Sequence, residues 1–371
     1  MLELMRIDPF DSREVNLWWD IYAAAERADR GAGTAVWTRD ESRHELQHDT
    51  ATIDRRAYLA RIDGEVVAGG RLALPMRDNL RVAMLGVHVA PELRRRGIGT
   101  AVLTALEEEA RSAGRSILKA NASWPCSAGD DGSGVPGREF ARRHGYALAL
   151  GDVQSRLPLP VAAAHLDALG AEASARSQDY SLRSWIGSVP QVLIGGWAEL
   201  DAAVDTEAPV GDLEIERATV DTSEIRRSET LIAQQNRRSF GTVACDRGGR
   251  VVAFTQLVVS GDDGNAYQWG TLVRREARGN RLGMAWPSRS RICGCCWRTP
   301  LTCAPCTRTT PASTSTCCRS TAAWASRPPN SWPSCRSGWP ERRTRRTAHS
   351  SVQITGVSRE LRFWTDIRLL N

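Results

Sequence analysis

Hydrophobic and polar residues alternate with recognisable periods along this chain as far as about residue 285. Residues 58–73 alternate on both sides of Asp63-Gly64, a dipeptide typical of tight hairpin turns, and predict two antiparallel strands. Residues 85–89 predict a short strand, which leads through a turn into a helix rich in Ala, Leu and Glu. Further strands are predicted at residues 116–121, 180–185 and 213–216, and a further helix at residues 137–146.

The turn at residues 90–100 carries the clearest chemical signal in this sequence. Three arginines precede two glycines at the point where the helix begins: Arg94, Arg95, Arg96, Gly97 and Gly99. The first amides of a helix have no partner within it, glycines let a bulky anion approach the backbone, and the arginines add positive potential. The pattern predicts a pyrophosphate site, with a tight basic turn that binds nothing as the alternative. A dinucleotide fingerprint and a Walker loop are excluded, because the glycines and lysine that they need are missing.

Arg94-x-x-Gly97-x-Gly99 after a strand resembles the acetyl-CoA signature of the GNAT superfamily of N-acetyltransferases, over roughly residues 5–158. Gly145-Tyr146 is similar to the Gly-aromatic pair of that family. The resemblance implies an α/β fold with a mixed sheet, and direct attack of a small primary amine on acetyl-CoA in a ternary complex. It also implies the residues that hold this cosubstrate: the backbone of Val87, His88 and Val89 for the thioester arm, and Arg94, Arg95, Arg96, Gly97, Ile98, Gly99 and Thr100 for the pyrophosphate.

Two side chains are candidates for catalysis. His88 alternates with apolar neighbours, so that its ring is expected to face the substrate, and its ordinary pKa suits a general base; a half-buried strand histidine is the alternative. Glu26 lies on an early helix that borders the acceptor site in the resembling family, and with Asp29 it is a candidate for holding a cationic amine. The family's usual thiolate acid is a tyrosine, but Ala141 stands at that position. The departure leaves open a non-catalytic acyl-CoA-binding or regulatory module.

The chain repeats itself at a nearly constant offset. Residues 58–68 are echoed by residues 243–253, and residues 85–100 by residues 268–283, with Arg278 at the position of Arg94. A constant offset across two motifs indicates a duplicated domain. The second copy predicts a degenerate cofactor site at Leu272, Val273, Arg278, Gly279, Asn280 and Gly283, because Arg281 replaces the first glycine. We therefore expect two GNAT-like domains in tandem, at residues 1–160 and 181–285, joined by a linker at residues 161–180.

The periodicity ends at about residue 285. Residues 286–350 contain no Lys, Asp, Val, Phe or Tyr, but 11 Arg and 8 Cys, which is not the composition of a packed core. Cys303-x-x-Cys306 allows a zinc site, and the positive charge allows a basic RNA-binding tail. We prefer a third explanation, a frameshift of one base near Ala285, because shifting the frame back restores helical periodicity and a terminal Leu-Gly-Phe. The second domain would then be truncated, residues 286–371 would be out-of-frame or read-through sequence without order, and an inactive product stays open.

Charge and cysteine content bear on partners and location. The whole chain carries +6, but residues 286–350 contribute +10, so the remainder carries −4 and does not favour nucleic acid. The two cysteines outside that stretch, Cys126 and Cys245, favour a reducing cytoplasm. No apolar run of membrane-spanning length is found. We expect acetyl-CoA and a small amine as partners, with no metal, no nucleic acid and no membrane, and a homodimer stays open.

Overall fold

The structure is a computed structural model that describes residues 2–30, 36–48, 51–152, 154, 157, 161–208, 210–261, 264–280, 282 and 352–355. The strands in these residues are β1 (Leu2–Arg6), β2 (Ile53–Ile62), β3 (Glu65–Pro75), β4 (Val82–Val89), β5 (Ile117–Asn121), β6 (Ala147–Leu150), β7 (Ser181–Ile186), β8 (Arg237–Cys245), β9 (Val251–Ser260), β10 (Ala266–Val273) and β11 (Val352–Thr355). The helices are α1 (Ser12–Arg30), α2 (Arg39–Gln47), α3 (Ile98–Ser112), α4 (Pro136–Arg143), α5 (Ala163–Arg176), α6 (Ile194–Glu207) and α7 (Thr222–Gln234). None of the helices in the described ranges has the length and apolarity needed to cross a membrane.

The first sheet has seven strands in the order β1-β2-β3-β4-β5-β11-β6. Strands β1 to β4 pair antiparallel, and the predicted hairpin is confirmed: Asp63 and Gly64 join β2 to β3 with φ angles of 51° and 86°, as a primed turn requires. Strand β5 pairs in parallel with β4 and with β11, and β11 also pairs in parallel with β6. The mixture of both kinds of pairing confirms the predicted α/β fold with a mixed sheet.

Helix α3 covers one face of this sheet, and helices α1 and α2 cover the other. A Cβ added to Gly70 of β3 would meet Leu106 of α3, whereas one added to the preceding Gly69 would meet Trp18 of α1. Successive residues of a strand point to opposite faces. Because His88 of β4 pairs directly with Gly69, its side chain lies on the face covered by α1 and α2.

The second sheet has four antiparallel strands in the order β10-β9-β8-β7. Helix α6 packs on it through Trp197, which is 1% exposed and meets Phe254 edge-on with ring centroids 4.7 Å apart. The described elements follow the order of the first half, with a strand, two helices, three strands and a short 3-10 turn. This repeated order is the structural counterpart of the sequence offset. The expected strand at residues 180–185 is confirmed as β7.

The expected strand at residues 213–216 is wrong. This segment has no regular structure and bonds to side chains of the first half instead of to a neighbouring strand. The backbone N–H of Asn79 donates to Glu216 Oε2 at 2.8 Å, and the backbone N–H of Glu216 donates to Asn79 Oδ1 at 2.8 Å. Lys119 Nζ donates to the Glu214 carbonyl at 2.7 Å. Side-chain partners satisfy the backbone here, so the alternating pattern does not require a sheet.

The two repeats share a core. One hydrophobic cluster contains Trp37 from the first repeat together with Val258 and Trp269 from the second. Inside it, the Glu41 carboxylate is fully buried and accepts from Arg237 Nε at 2.5 Å. The Arg237 guanidinium also lies 3.8 Å above the Trp37 ring, a cation–π contact. Each repeat therefore buries residues that would be exposed without the other.

Candidate functional site

Strands β4 and β5 pair along only the first half of β4. They pair in parallel from Val82 to Leu85, whose partners are Ile117 to Ala120, and their pairing stops there. Residues 86–89 stay paired with β3 and are half-buried rather than buried. The stretch between β4 and β5 beyond this point is called the opening. The Ala90 amide donates to the Val67 carbonyl of β3, and backbone groups alternate along a strand. The backbone of Val87 and Val89 therefore faces the opening, whereas that of His88, the third residue predicted to hold a thioester arm, faces β3.

The chain leaves this opening through a tight turn into α3. A 3-10 turn spans Pro91–Leu93, Arg95 has a positive φ of 65°, and Gly97 caps α3 with a φ of 82°. No side chain caps the helix start, so the amides of residues 98–100 stay available for a ligand. Ile98 buries its side chain in the core, which leaves only its amide for the loop. The turn thus presents the positive end of a helix next to the opening.

Helix α4 lies across the start of α3. A Cβ added to Gly99 would lie 3.4 Å from both Phe140 and Val89, so glycine allows this close packing. Thr100 Oγ1 is 3.2 Å from Nε2 of His144, whose ring packs on Phe140 with centroids 4.5 Å apart. His144 is a residue that sequence reasoning missed, because it lies 44 positions from Thr100 and no local pattern joins them.

The three arginines of the turn differ in their surroundings. Arg94 is turned back onto α1, where its Nη1 is 2.6 Å from Asp29 Oδ1, and its Nε donates to the Val89 carbonyl at 3.3 Å. Arg95 and Arg96 are exposed and supply the accessible positive charge of the loop. Asp29, expected to hold a cationic amine, is instead paired with Arg94. The structure therefore separates one bracing arginine from two that face solvent.

His88 and Glu26 lie side by side on the α1 face of the sheet. His88 Nδ1 is 3.9 Å from Glu26 Oε1, and Tyr22 meets the imidazole edge-on with ring centroids 5.1 Å apart. Burial, followed by the charges of Arg71 and Arg94, lowers the pKa of His88 from 6.5 to about 3. The imidazole is therefore neutral near pH 7. At this separation it makes neither an ion pair nor a direct hydrogen bond with Glu26.

Two other positions near the opening belong to the core. Trp18 is 2% exposed and donates from Nε1 to the Gly70 carbonyl at 3.0 Å. Ala141, which stands where the resembling family carries a tyrosine, is 8% exposed and packs in the core between the sheet and α3. A methyl group at this position cannot donate a proton.

The second repeat reproduces the backbone of the turn. A 3-10 turn at Arg275–Ala277 leads to Arg278, whose Nε donates to the Val273 carbonyl at 3.1 Å and whose Nη2 is 3.0 Å from Glu207 of α6. These are the contacts of Arg94, repeated with a different acid. Gly279 has a φ of 86°, the left-handed conformation that Arg95 adopts in the first repeat.

The predicted cofactor residues of the second repeat are otherwise engaged in structure. Leu272 is 2% exposed and pairs with Phe254 of β9, as His88 pairs with Gly69 in the first sheet. Asn280 donates from Nδ2 to the Ala277 carbonyl at 3.1 Å. Arg281 and Gly283 lie outside the described residues, as do residues 286–371 apart from β11, so the expectations for those residues stay predictions. The expected lack of order is wrong for Val352–Thr355, because β11 pairs with β5 and β6 in the first sheet.

Comparison with known proteins finds one family model and several solved structures to which this chain is similar. Residues 16–123 match the model of the acetyltransferase (GNAT) family. A tandem GNAT protein from the clavulanic acid biosynthesis pathway is similar at 25% identity and a TM-score of 0.56, over 77% of this chain and 83% of that chain. A GCN5-related N-acetyltransferase from Sphaerobacter thermophilus is similar at 14% identity and a TM-score of 0.49, over 76% and 79% of the two chains. No curated protein matches the chain.

Proposed function

We propose that this chain, which belongs to the GNAT family of acetyltransferases and repeats the domain in tandem, moves an acetyl group from acetyl-CoA to the primary amine of a small molecule. One observation carries the proposal. The opening between β4 and β5 lies directly before the uncapped amides that start α3. A ligand with a long thioester arm and a diphosphate fits such a site, because the arm enters the opening while the diphosphate lies on the amides.

The donor is held mainly by the backbone. The backbone of Val87 and Val89 bonds the pantetheine amides and the thioester carbonyl, where negative charge develops during the reaction. The amides of residues 98–100 hold the diphosphate, together with the charges of Arg95 and Arg96. Arg94 acts indirectly in this scheme, because its contacts with Asp29 and the Val89 carbonyl fix the turn.

The acceptor amine attacks from the α1 face. Its nitrogen forms a bond to the carbonyl carbon of the thioester as the carbon–sulfur bond breaks, and the CoA thiolate takes a proton from water. The attacking nitrogen loses its own proton to Glu26, directly or through a water molecule. His88 accepts a hydrogen bond from the amine and orients it, but its low pKa prevents it from keeping the proton.

The test uses the full-length chain. Calorimetric titration with acetyl-CoA is expected to give micromolar binding, and a thiol-release assay across a panel of small amines is expected to give amine-dependent CoA release. Replacing Arg95 and Arg96 by Gln should weaken binding about 10-fold, since two charges leave the loop. The matched control replaces the exposed Arg247 and Arg250 of the second repeat by Gln and should leave binding unchanged. Absence of micromolar binding would overturn the proposal.

A non-catalytic acyl-CoA-binding module is the second candidate, and the buried Ala141 favours it. Without a tyrosine at this position, the thiolate depends on water for its proton, which suits a protein that holds the donor without turning it over. Calorimetry and thiol release separate the two functions. Tight binding of acetyl-CoA with no amine-dependent release would support the module and exclude the enzyme.

We further propose that a frameshift near Ala285 truncates the second repeat. The described elements of this repeat follow those of the first as far as the turn at Arg275–Ala277. The helix that should come next falls where the sequence loses its periodicity. The DNA around codon 285, translated in three frames, tests the proposal. It would be overturned if neither alternative frame encoded a periodic sequence that continues the domain.

A further inference from the structure

An arginine outside the predicted loop lies next to His88. Arg71 of β3 stands directly opposite Gly86 of β4. A Cβ added to Gly86 would lie 3.3 Å from Arg71 Cβ and 3.3 Å from His88 Nε2. Glycine at this position therefore lets the side chains of Arg71 and His88 lie close together, on the face covered by α1 and α2. The side chain of Arg71 is 16% exposed, so a ligand that approaches His88 can reach it.

Arg71 belongs to a buried charge cluster in which two guanidinium groups share one carboxylate. Glu45 of α2 accepts from Arg71 Nη2 through both oxygens at 3.0 Å and from Arg55 Nε at 3.1 Å. Burial lowers the pKa of Arg55, whose side chain is 4% exposed. Glu224 of α7 also acts on Arg55, but it is itself 2.7 Å from Arg227. Because Arg71 shares the Glu45 carboxylate with a second cation, a further anion beside Arg71 would be favourable.

The contacts of Arg71 leave part of its guanidinium for such a partner. In the described part of the chain, its hydrogen bonds start from Nη2 alone, and both end on Glu45. A guanidinium carries five N–H donors, so the donors on Nε and Nη1 remain. Carboxylates are well matched to these donors in geometry and charge.

We propose that Arg71 binds the carboxylate of an amino-acid-like acceptor, whose amine then lies beside His88 and Glu26. The inference rests on the proposed acetyl transfer. An acceptor with a cationic amine and a carboxylate would match the two charges on this face, since Glu26 is acidic and Arg71 is basic. A polyamine or a simple alkylamine would leave the donors on Nε and Nη1 of Arg71 without a carboxylate and would add another positive charge to the same face.

The experiment compares free amino acids with their methyl esters in the thiol-release assay. The panel contains α-, β- and γ-amino acids, and the full-length chain is measured beside Arg71→Gln and Arg71→Lys. For the acid, Arg71→Gln should raise KM about 10–100-fold, the loss expected for a charged hydrogen bond, and Arg71→Lys should recover part of it. For the ester, KM should stay nearly constant. Comparing these ratios between proteins cancels the intrinsic difference in amine basicity between acid and ester.

Arg55→Lys is the matched control, because it alters the same cluster but lies on β2, which does not pair with the strand of His88. It should lower the unfolding temperature and leave the acid-to-ester ratio of KM unchanged. An equal rise of KM for acid and ester in Arg71→Gln would overturn the carboxylate site while leaving the acetyl transfer intact. If acetyl-CoA binds but no amine is turned over, calorimetry with the amino acids in the presence of CoA decides. Heat of binding that disappears in Arg71→Gln would support the site, and its absence in the unchanged protein would overturn it.

Discussion

The turn after β4 and the turn after β10 have nearly the same backbone and different side chains. In both, a 3-10 turn precedes an arginine that bonds the carbonyl five residues before it and an acid on the first helix of the repeat, α1 or α6. The scaffold is thus retained in both repeats. The side chains beside it are not, because Leu272 takes the place of His88.

The same difference appears on helices α1 and α6. Asp29 and Glu207 are the acids that hold Arg94 and Arg278, and Glu26 lies three residues before the first of them. The residue three positions before Glu207 is Val204, which is 2% exposed. Both polar members of the first site therefore correspond to buried aliphatic residues in the second. Duplication has preserved the packing of the turn, and the side chains proposed for catalysis remain in the first repeat.

The largest expected effect comes from giving the first repeat the side chains of the second. The double substitution Glu26→Val with His88→Leu should lower kcat by about 10²–10⁴-fold, because it removes proton transfer and orientation of the amine. Calorimetry should show that the affinity for acetyl-CoA changes little, since the donor is held by backbone. The control is Leu272→Met, a volume-conserving change in the second repeat that should leave kcat as it was. Unchanged turnover in the double variant would show that Glu26 and His88 do not take part in acetyl transfer.

The next effect tests the contact between the repeats. Arg237→Met leaves the fully buried Glu41 carboxylate without its cation, so the free energy of unfolding should fall by about 3–5 kcal/mol. Urea unfolding followed by circular dichroism measures the change. The control is Arg247→Met, whose partner Asp179 is exposed, and it should cost less than about 1 kcal/mol. Equal losses in the two variants would show that the shared core contributes little to stability.

A smaller effect separates the two turns by function. Gly97 and Gly279 both have a left-handed backbone, and an added Cβ would meet nothing within 4 Å at either position. Gly97→Ala and Gly279→Ala should therefore each cost about 1–2 kcal/mol in thermal unfolding, from backbone strain alone. Only Gly97→Ala should also weaken acetyl-CoA binding in calorimetry. Equal losses of affinity would indicate that the second turn still contributes to the donor site.

The smallest effect is a pH dependence of stability that comes from His88. Leu272, at the matching position of the second repeat, has no titratable group. Because the folded-state pKa of His88 is about 3 and the unfolded value is about 6.5, the unfolded chain binds more protons between these values. Stability from this group is complete above pH 6.5 and declines as the pH falls, by at most about 1.4 kcal/mol per pH unit. Urea unfolding at pH 7 and pH 5.5 should show a smaller decline for His88→Gln than for the unchanged protein. An identical decline would place the acid sensitivity elsewhere.

Local signals in the sequence were enough to predict the hairpin at Asp63-Gly64 and the strand–turn–helix around Gly97. Each depends on residues that are neighbours in the chain, and the constant offset of the repeat supplied the tandem order. The contacts that decide side-chain roles are long-range. Arg94 meets an acid 65 positions away, and Arg237 meets one 196 positions away. The local periodicity of a sequence does not indicate such pairs. The contact of Arg71 with Glu45, 26 positions away, could not be predicted for the same reason.

The backbone conformation of Arg95 lowers the stability of the folded chain. It adopts a φ of 65°, a conformation that costs a non-glycine residue about 1 kcal/mol, and the second repeat places Gly279 at this point instead. The substitution Arg95→Gly would remove this strain and should raise the unfolding temperature. The same change would discard one of the two solvent-facing charges in the turn. At position 95, glycine favours thermostability and arginine favours affinity for acetyl-CoA. Selection for heat resistance alone would therefore weaken binding of the donor.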